Sequence, residues 1–472
     1  MLDLSITGAT VVTPSGAGQW DIGVKDGKVA VLSSPGTMEQ GAAQAVDGTG
    51  TIAIPGGIDP HVHTSWLVPT AAREGIRCFD AERVSLAAIH GGTTMLIDFA
   101  IWEPGQTLAD TFTGKQSDWQ NSYADYALHG TFRGEIPTSV IDEIPDAIAA
   151  GHPTFKVWMT NTTPSRPPQK TDLGYVWAIL ERTGRSGGLL CVHAEDDDIV
   201  MYAYKKLAEA DQWNYTNIHL AHNQLSEALS FQRIIGLAEH TEAAIYLMHV
   251  SAKEGVRAVR DARSRHLPVY GETLQHYVSF NADDYARPNG QIYHTYPSLK
   301  SEDDRLALWD GLKDGSLSTI ATDELCTTLA TKIRGETVDD VTGGHAGVEV
   351  RLGVMYTEAV IRRHVSLERF VDLTSANAAK IMGVYPQKGA IAVGSDADIA
   401  LLRPSAPRAI QLSDLHETDY SVWEGWTVEA WPSLTILRGK VVMENGQILG
   451  APGYGQLVRG RIAPQMLAAP GC

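Results

Sequence analysis

Cysteine is scarce in this chain: four residues in 472, Cys78, Cys191, Cys326 and Cys472, with no Cys-x-x-Cys pair. That excludes a disulfide framework and a thiolate zinc site, and it points to reduced thiols in a cytoplasmic protein. Basic residues are outnumbered, giving a net charge of −18, and Lys and Arg are mixed among the acids. A phosphate backbone needs a basic stripe, so no nucleic-acid partner is expected, and the acidic excess reads as a solubility device. No apolar stretch reaches about 18 residues, and the opening MLDLSITGATVV lacks the basic region and apolar run of a signal peptide. Neither membrane insertion nor export is expected. A Gly-x-Gly-x-x-Gly loop after a strand is also missing, which argues against a dinucleotide fold.

What is present is ordinary for a globular protein, 43% hydrophobic and 20% charged. The length suits one large unit plus a smaller one. Residues 1–54 read as short strands broken by Asp-Gly turns, and residues 385–472 return to the same texture in GAIAVGSDADIALLRP and SLTILRGKVVMENGQIL. The two ends are expected to pair into one β-sandwich unit, with residues 55–384 inserted between them.

The middle alternates short runs rich in Val, Ile and Leu with longer segments of helical spacing. Eight runs stand out: GGIDPHVH, TTMLIDFA, YALHGTF, HPTFKVWM, GLLCVHAE, AIYLMHV, PVYGETL and LSTIATD. Between them lie helices such as DAERVSLAAIHGG, stopped by Gly91 and Gly92, and SAKEGVRAVRDARSR, with a Ser-x-x-Glu capping box expected at Ser251 and Glu254. Eight such alternations predict an α/β fold, a (β/α)₈ TIM-type barrel.

In that fold, polar residues closing a strand at its C-terminal end face the active-site mouth. His61 and His63 close the first run; residues two apart on a strand share a face, so the imidazoles can hold one ion. Lys156 lies in the fourth run, His193 ends the fifth, His249 the sixth and Asp323 the eighth. Each alone is as readily a packed core or strand-end residue. Together they converge on one mouth, and imidazoles with a carboxylate suit a catalytic zinc or similar ion. A protonated Lys156 would repel such an ion, so it fits only if its charge is removed.

This set resembles the binuclear branch of the amidohydrolase superfamily, specifically the hydantoinase and dihydropyrimidinase family. GGIDPHVH, GGTTMLIDFA, FKVWM, VHAE, HVSAKEG, VYGET, GHAGVE and KGAIAVGSDADIALL resemble the family's segments in order along nearly the whole chain. The resemblance implies two divalent metal ions per chain, zinc first, with manganese, cobalt or nickel as substitutes. His61, His63 and Asp323 would bind one ion, His193 and His249 the other, and Lys156, carboxylated by CO₂ to N6-carboxylysine, both. It implies hydrolysis of a carbon–nitrogen bond in a cyclic amide, a hydantoin, a dihydropyrimidine or a related imide: a metal-bridging hydroxide attacks the carbonyl and Asp323 carries the proton to the departing nitrogen. An allantoinase of the same superfamily shares the pattern, and relatives that lost their ligands act as non-catalytic scaffolds. The family also implies a homotetramer, formed partly through an arm that YGQLVRGRIAP resembles.

The departures from the family cluster at its substrate contacts. Asn161 stands where a tyrosine is usual, Tyr296-Pro297-Ser298 replaces Ser-Pro-Pro, and Thr342-Gly343-Gly344 replaces Asn-Gly-Gly. Asn161, Tyr296 and Thr342 are therefore the expected substrate contacts, the last two through main chain. Glu324 replaces a common histidine and is expected to add negative charge near the site. Trp66, Leu67, Trp102 and Trp158 are candidates for a pocket that accepts a bulky ring substituent. His222, His276, His294 and His345 are read as structural.

Overall fold

The computed structural model describes residues 1–38 and 41–472. All eight runs form strands of one parallel sheet: Gly57–Asp59, Thr93–Ile101, Asp125–Thr131, Thr154–Trp158, Leu189–His193, Ala244–Leu247, Val269–Leu274 and Thr319–Ala321. Each pairs with its neighbour in sequence, and their residues are almost all buried. Helices cover the outer face, which is why these strands read as continuous apolar runs.

The seam between the first and last strands is closed beyond the ladder. Asp59 Oδ1 accepts from the N–H groups of His61 (3.2 Å) and Thr322 (3.3 Å), and Oδ2 accepts from the Thr322 hydroxyl (2.6 Å). One turn of chain further, His63 N–H donates to the Glu324 carbonyl (2.7 Å) and Glu324 N–H to the His61 carbonyl (3.2 Å). The same few residues therefore close the barrel and present His61, His63 and Asp323 at its mouth.

The helix expected before Gly91 spans Ala81–His90, with Asp80 accepting from Arg83 N–H as its cap. The capping box at Ser251 and Glu254 does not form. The helix runs Lys253–Ser264 without a side-chain cap, because the buried Glu227 takes its place: it accepts from the N–H groups of Ser251 and Ala252 and from the Ser251 hydroxyl at 2.5 Å. A carboxylate from a neighbouring helix outcompetes the local hydroxyl.

The chain ends build two further sheets. Strand Ile52–Pro55 pairs antiparallel with Ile399–Ala409 and parallel with Thr10–Thr13 inside a seven-stranded sheet, beside a four-stranded sheet from the first 47 residues. Lys388, fully buried, joins barrel and sheets through Asp125 (2.5 Å) and Asp398 (2.6 Å). The segment YGQLVRGRIAP lies against this chain's own barrel: Tyr126 N–H donates to the Gln456 carbonyl, and Val458 N–H to the Tyr126 carbonyl. Helix Pro464–Ala468 follows and receives the Tyr270 hydroxyl on the Met466 carbonyl at 2.6 Å.

Candidate metal centre

Four imidazoles, a lysine and a carboxylate from five barrel strands meet at the C-terminal mouth, all buried, lining a cavity of about 660 Å³. Ligand atoms of His61, His63 and Asp323 lie within 4.8 Å of one another. His63 Nε2 and His61 Nε2 are each 3.0 Å from Asp323 Oδ1. The rings of His193 and His249 are 4.5 Å apart, and His249 lies 5.5 Å from His61. His249 and Asp323 both hold left-handed backbone, φ 41° and 52°, at the bends where their strands end. Non-glycine residues carry a strain cost there, and here the bend aims both side chains inward.

Behind the imidazoles stand carboxylates that the sequence reading assigned no role. Glu272, on the seventh strand, accepts from His61 Nδ1 at 2.7 Å, from His249 N–H at 3.0 Å and from the Tyr246 hydroxyl at 2.8 Å. The bond puts Nδ1 on Glu272 and turns Nε2 to the mouth beside Asp323; both Nε2 and His63 Nδ1 are buried. Glu195 likewise engages His193 Nε2 at 3.0 Å and His222 Nδ1 at 2.9 Å. A carboxylate on the far nitrogen of a histidine is the arrangement that orients metal ligands. The donor set therefore fits divalent ions.

Electrostatics agree. Burial pushes His63 down to about 4 and His249 well below its ordinary value. Burial acts the same way on His61, but Asp323 and Glu272 outweigh it and hold that ring at about 9, so an ion bound there would have to displace a proton from Nε2. Burial would raise Asp323, yet the imidazoles hold it well below the usual carboxylate range. The Lys156 ammonium makes no hydrogen bond among the described residues and lies over the Phe99 and Trp158 rings, 4.9 and 4.7 Å from their centres. Burial brings it to about 8, so a neutral amine is accessible near neutral pH.

The substrate-contact expectations fare unevenly. Tyr296 lines the cavity, with Thr295, Gly343 and Gly344. Asn161 does not: its Oδ1 accepts from the N–H groups of Gln169 and Lys170, both at 3.0 Å, and its Nδ2 donates to Asp197. A side chain so occupied fastens its own loop. Thr342 also lies off the cavity, its carbonyl accepting from Lys332 Nζ and its hydroxyl facing Thr70. Glu324 adds no charge to the mouth: it points into the core, accepts from Gly347 and Val348 N–H, and burial against Glu417 holds its carboxyl well above the usual range. Trp66, Leu67 and Trp158 line the cavity, whereas Trp102 is buried elsewhere and donates to the Gln106 carbonyl. His276 and His345 stack on each other, 4.2 Å between centres, behind the wall.

The sequence pattern described as the amidohydrolase family matches residues 52–442. The chain belongs to the amidohydrolase family. It is 31% identical over 466 residues to a D-hydantoinase of Geobacillus stearothermophilus, with 96% of each chain covered. It is 33% identical over 473 residues to a D-hydantoinase of Rhizobium radiobacter, covering 98% of this chain and 99% of the relative. A crystal structure of dihydropyrimidinase from Brevibacillus agri NCHU1002 shares the fold with a TM-score of 0.92 at 29% identity, covering 98% of this chain and all of the other. This amidohydrolase thus shares its barrel and flanking sheets with that structure over 98% of the chain.

Proposed function

We propose that this amidohydrolase hydrolyses a cyclic amide, opening a hydantoin, a dihydropyrimidine or a related imide at one ring carbon–nitrogen bond. The observation that carries this reading is the convergence of His61, His63, His193, His249, Lys156 and Asp323, two of them backed by Glu272 and Glu195, in a chain akin to hydantoinases over its full length. His61, His63 and Asp323 are assigned to one divalent ion, His193 and His249 to a second, and Lys156, as N6-carboxylysine, to both. His61, His63, His193, His249, Lys156 and Asp323 would hold such ions, zinc by preference for this donor set, which when bound would supply carbonyl polarisation and a water of lowered pKa.

The protein's own part is positioning and proton transfer. Asp323, held between His61 and His63, takes the proton of the attacking water and passes it to the ring nitrogen as the carbon–nitrogen bond breaks. The products are one carboxylate and one protonated nitrogen, still joined by the rest of the former ring. Main chain at Tyr296, Gly343 and Gly344 lies where the ring's amide groups would be held, and Trp66, Leu67 and Trp158 form an apolar wall for a substituent. The division into 1–54, 55–384 and 385–472, a homotetrameric assembly and a cytoplasmic location, consistent with four unpaired cysteines, complete the proposal.

The test is ring opening across hydantoins, dihydrouracil, allantoin and cyclic imides by protein loaded with zinc or manganese in bicarbonate, with metal content measured. Chelator-sensitive opening of at least one ring, with about two ions per chain, is the expected result. Metal-loaded protein that opens none would overturn the reading.

A further inference from the structure

The cavity wall carries cations that ring opening does not use. Arg133, just past the third barrel strand, lines the cavity, and its guanidinium lies over two adjacent indoles, 4.8 Å from the centre of Trp66 and 5.0 Å from that of Trp158. Lys156 sits 4.7 Å from the centre of the same Trp158 ring, so both cations share one tryptophan beside the metal centre. Among the described residues Arg133 makes no hydrogen bond and no ion pair, and its Nε is buried without a partner. Glu103 is the acid whose charge acts on it, yet that side chain is exposed and forms no bridge to it. Arg166 is a second such group on the same cavity: its guanidinium covers Tyr296 at 4.7 Å, donates only to the Tyr296 hydroxyl and the Val341 carbonyl, and leaves a buried Nε free.

A guanidinium taken from water costs free energy unless its donors find acceptors. Stacking on aromatic faces offsets part of that cost while consuming no N–H group. Lying across the Trp66 and Trp158 rings, whose centres are 6.1 Å apart and whose planes are tilted by 55°, the Arg133 guanidinium is held as a donor fork whose N–H groups remain open toward the cavity. An open planar fork matches a carboxylate, which it can engage through two parallel hydrogen bonds. Neutral rings with purely apolar substituents would leave Arg133 without a partner and the Nε of Arg166 free.

Building on the ring-opening reading, we infer that the substrate is a cyclic amide whose ring substituent bears a carboxylate, and that Arg133 is the specificity-determining residue that receives it. Arg166 reinforces the positive wall from the Tyr296 side. The tryptophans serve as the clamp that presents Arg133, with the apolar stem of the substituent lying against them.

The experiment compares hydantoin carrying a carboxymethyl group on C5 with the carboxamide of the same shape, on metal-loaded protein, as kcat/KM and as calorimetric affinity. The acid should exceed the amide about ten- to a hundredfold, the range of a charge-assisted hydrogen bond. Arg133→Met should bring the ratio to about one, and Arg133→Lys, which keeps the charge and loses the fork, should retain part of it. Equal values for acid and amide in the unaltered protein, or a preference that survives Arg133→Met, would overturn the inference. Unsubstituted hydantoin and dihydrouracil, run on the same preparation, report on ring opening separately. If they are opened while acid and amide are treated alike, the carboxylate assignment fails and the ring chemistry stands. If no ring is opened, the two calorimetric affinities still decide the role of Arg133.

Discussion

Asp323 bridges two imidazoles, and in the proposed ring opening it also carries a proton. Replacing it with asparagine keeps the shape and removes the basic oxygen, so Asp323→Asn should lower turnover about a hundredfold or more while the protein stays folded, read by kcat alongside circular dichroism. Glu272 touches no substrate, yet it orders His61, His249 and Tyr246 together. Glu272→Gln should weaken divalent-ion affinity about ten- to a hundredfold, measured by chelator competition, with little change in thermal stability of the metal-free protein. At this scale the sequence exposed the imidazoles, because each follows an apolar run. Glu272 and Glu195 lie in the quoted segments VYGET and VHAE, but nothing in a linear string says which nitrogen a carboxylate will face. Asn161 shows the converse: a plausible donor by position whose three polar partners all come from its own loop and from Asp197.

Among the elements, the helix Lys253–Ser264 is the clearest case of tertiary override. Its local Ser-x-x-Glu signal is complete, and the cap comes instead from Glu227 on another helix. Burial raises Glu227 to about 7, above the ordinary glutamate value. A carboxyl with a raised folded-state value is held as the acid more firmly in the folded than in the unfolded chain. Its contribution is therefore full below the ordinary glutamate value and is lost as pH rises toward 7. Glu227→Gln, which cannot titrate, should flatten that fall in unfolding free energy, worth about 1.4 kcal/mol per pH unit of difference between folded and unfolded values. Urea titrations of both proteins between pH 5 and 7.5 would show it; parallel slopes would contradict it. Glu227→Ala, which strands two N–H groups and a hydroxyl, should cost about 2–3 kcal/mol.

For the whole molecule, the junction of barrel and sheets rests on one buried lysine. Burial alone would lower Lys388, but Asp398, Asp125 and Asp396 outweigh it and raise its value, so it remains charged. Lys28 ties the first sheet to Asp396, and Arg438 adds a second cation on Asp125. Removing one partner of a buried ionic cluster leaves charge without compensation, so Lys388→Met should cost about 3–5 kcal/mol in denaturant unfolding. The loss should appear as earlier separation of the sheets from the barrel, seen by hydrogen exchange in strands Ile52–Pro55 and Ile399–Ala409 before the barrel strands.

By itself, the sequence determined the eight-strand alternation, the pairing of the two chain ends and the positions of His61, His63, Lys156, His193, His249 and Asp323. Those are properties of period and order: apolar runs of strand length, turn residues between them, and a polar residue where each run stops. Only the tertiary structure decided which carboxylate orients which imidazole, that Glu324 turns into the core, that Asn161 and Thr342 leave the cavity, and that Arg133 lies over two tryptophans with no partner among the described residues. Most of those facts depend on side chains far apart in sequence meeting in a low-dielectric interior, and even the near ones, Glu195 on His193 and Gln169 on Asn161, are set by how several elements pack, which no local pattern records.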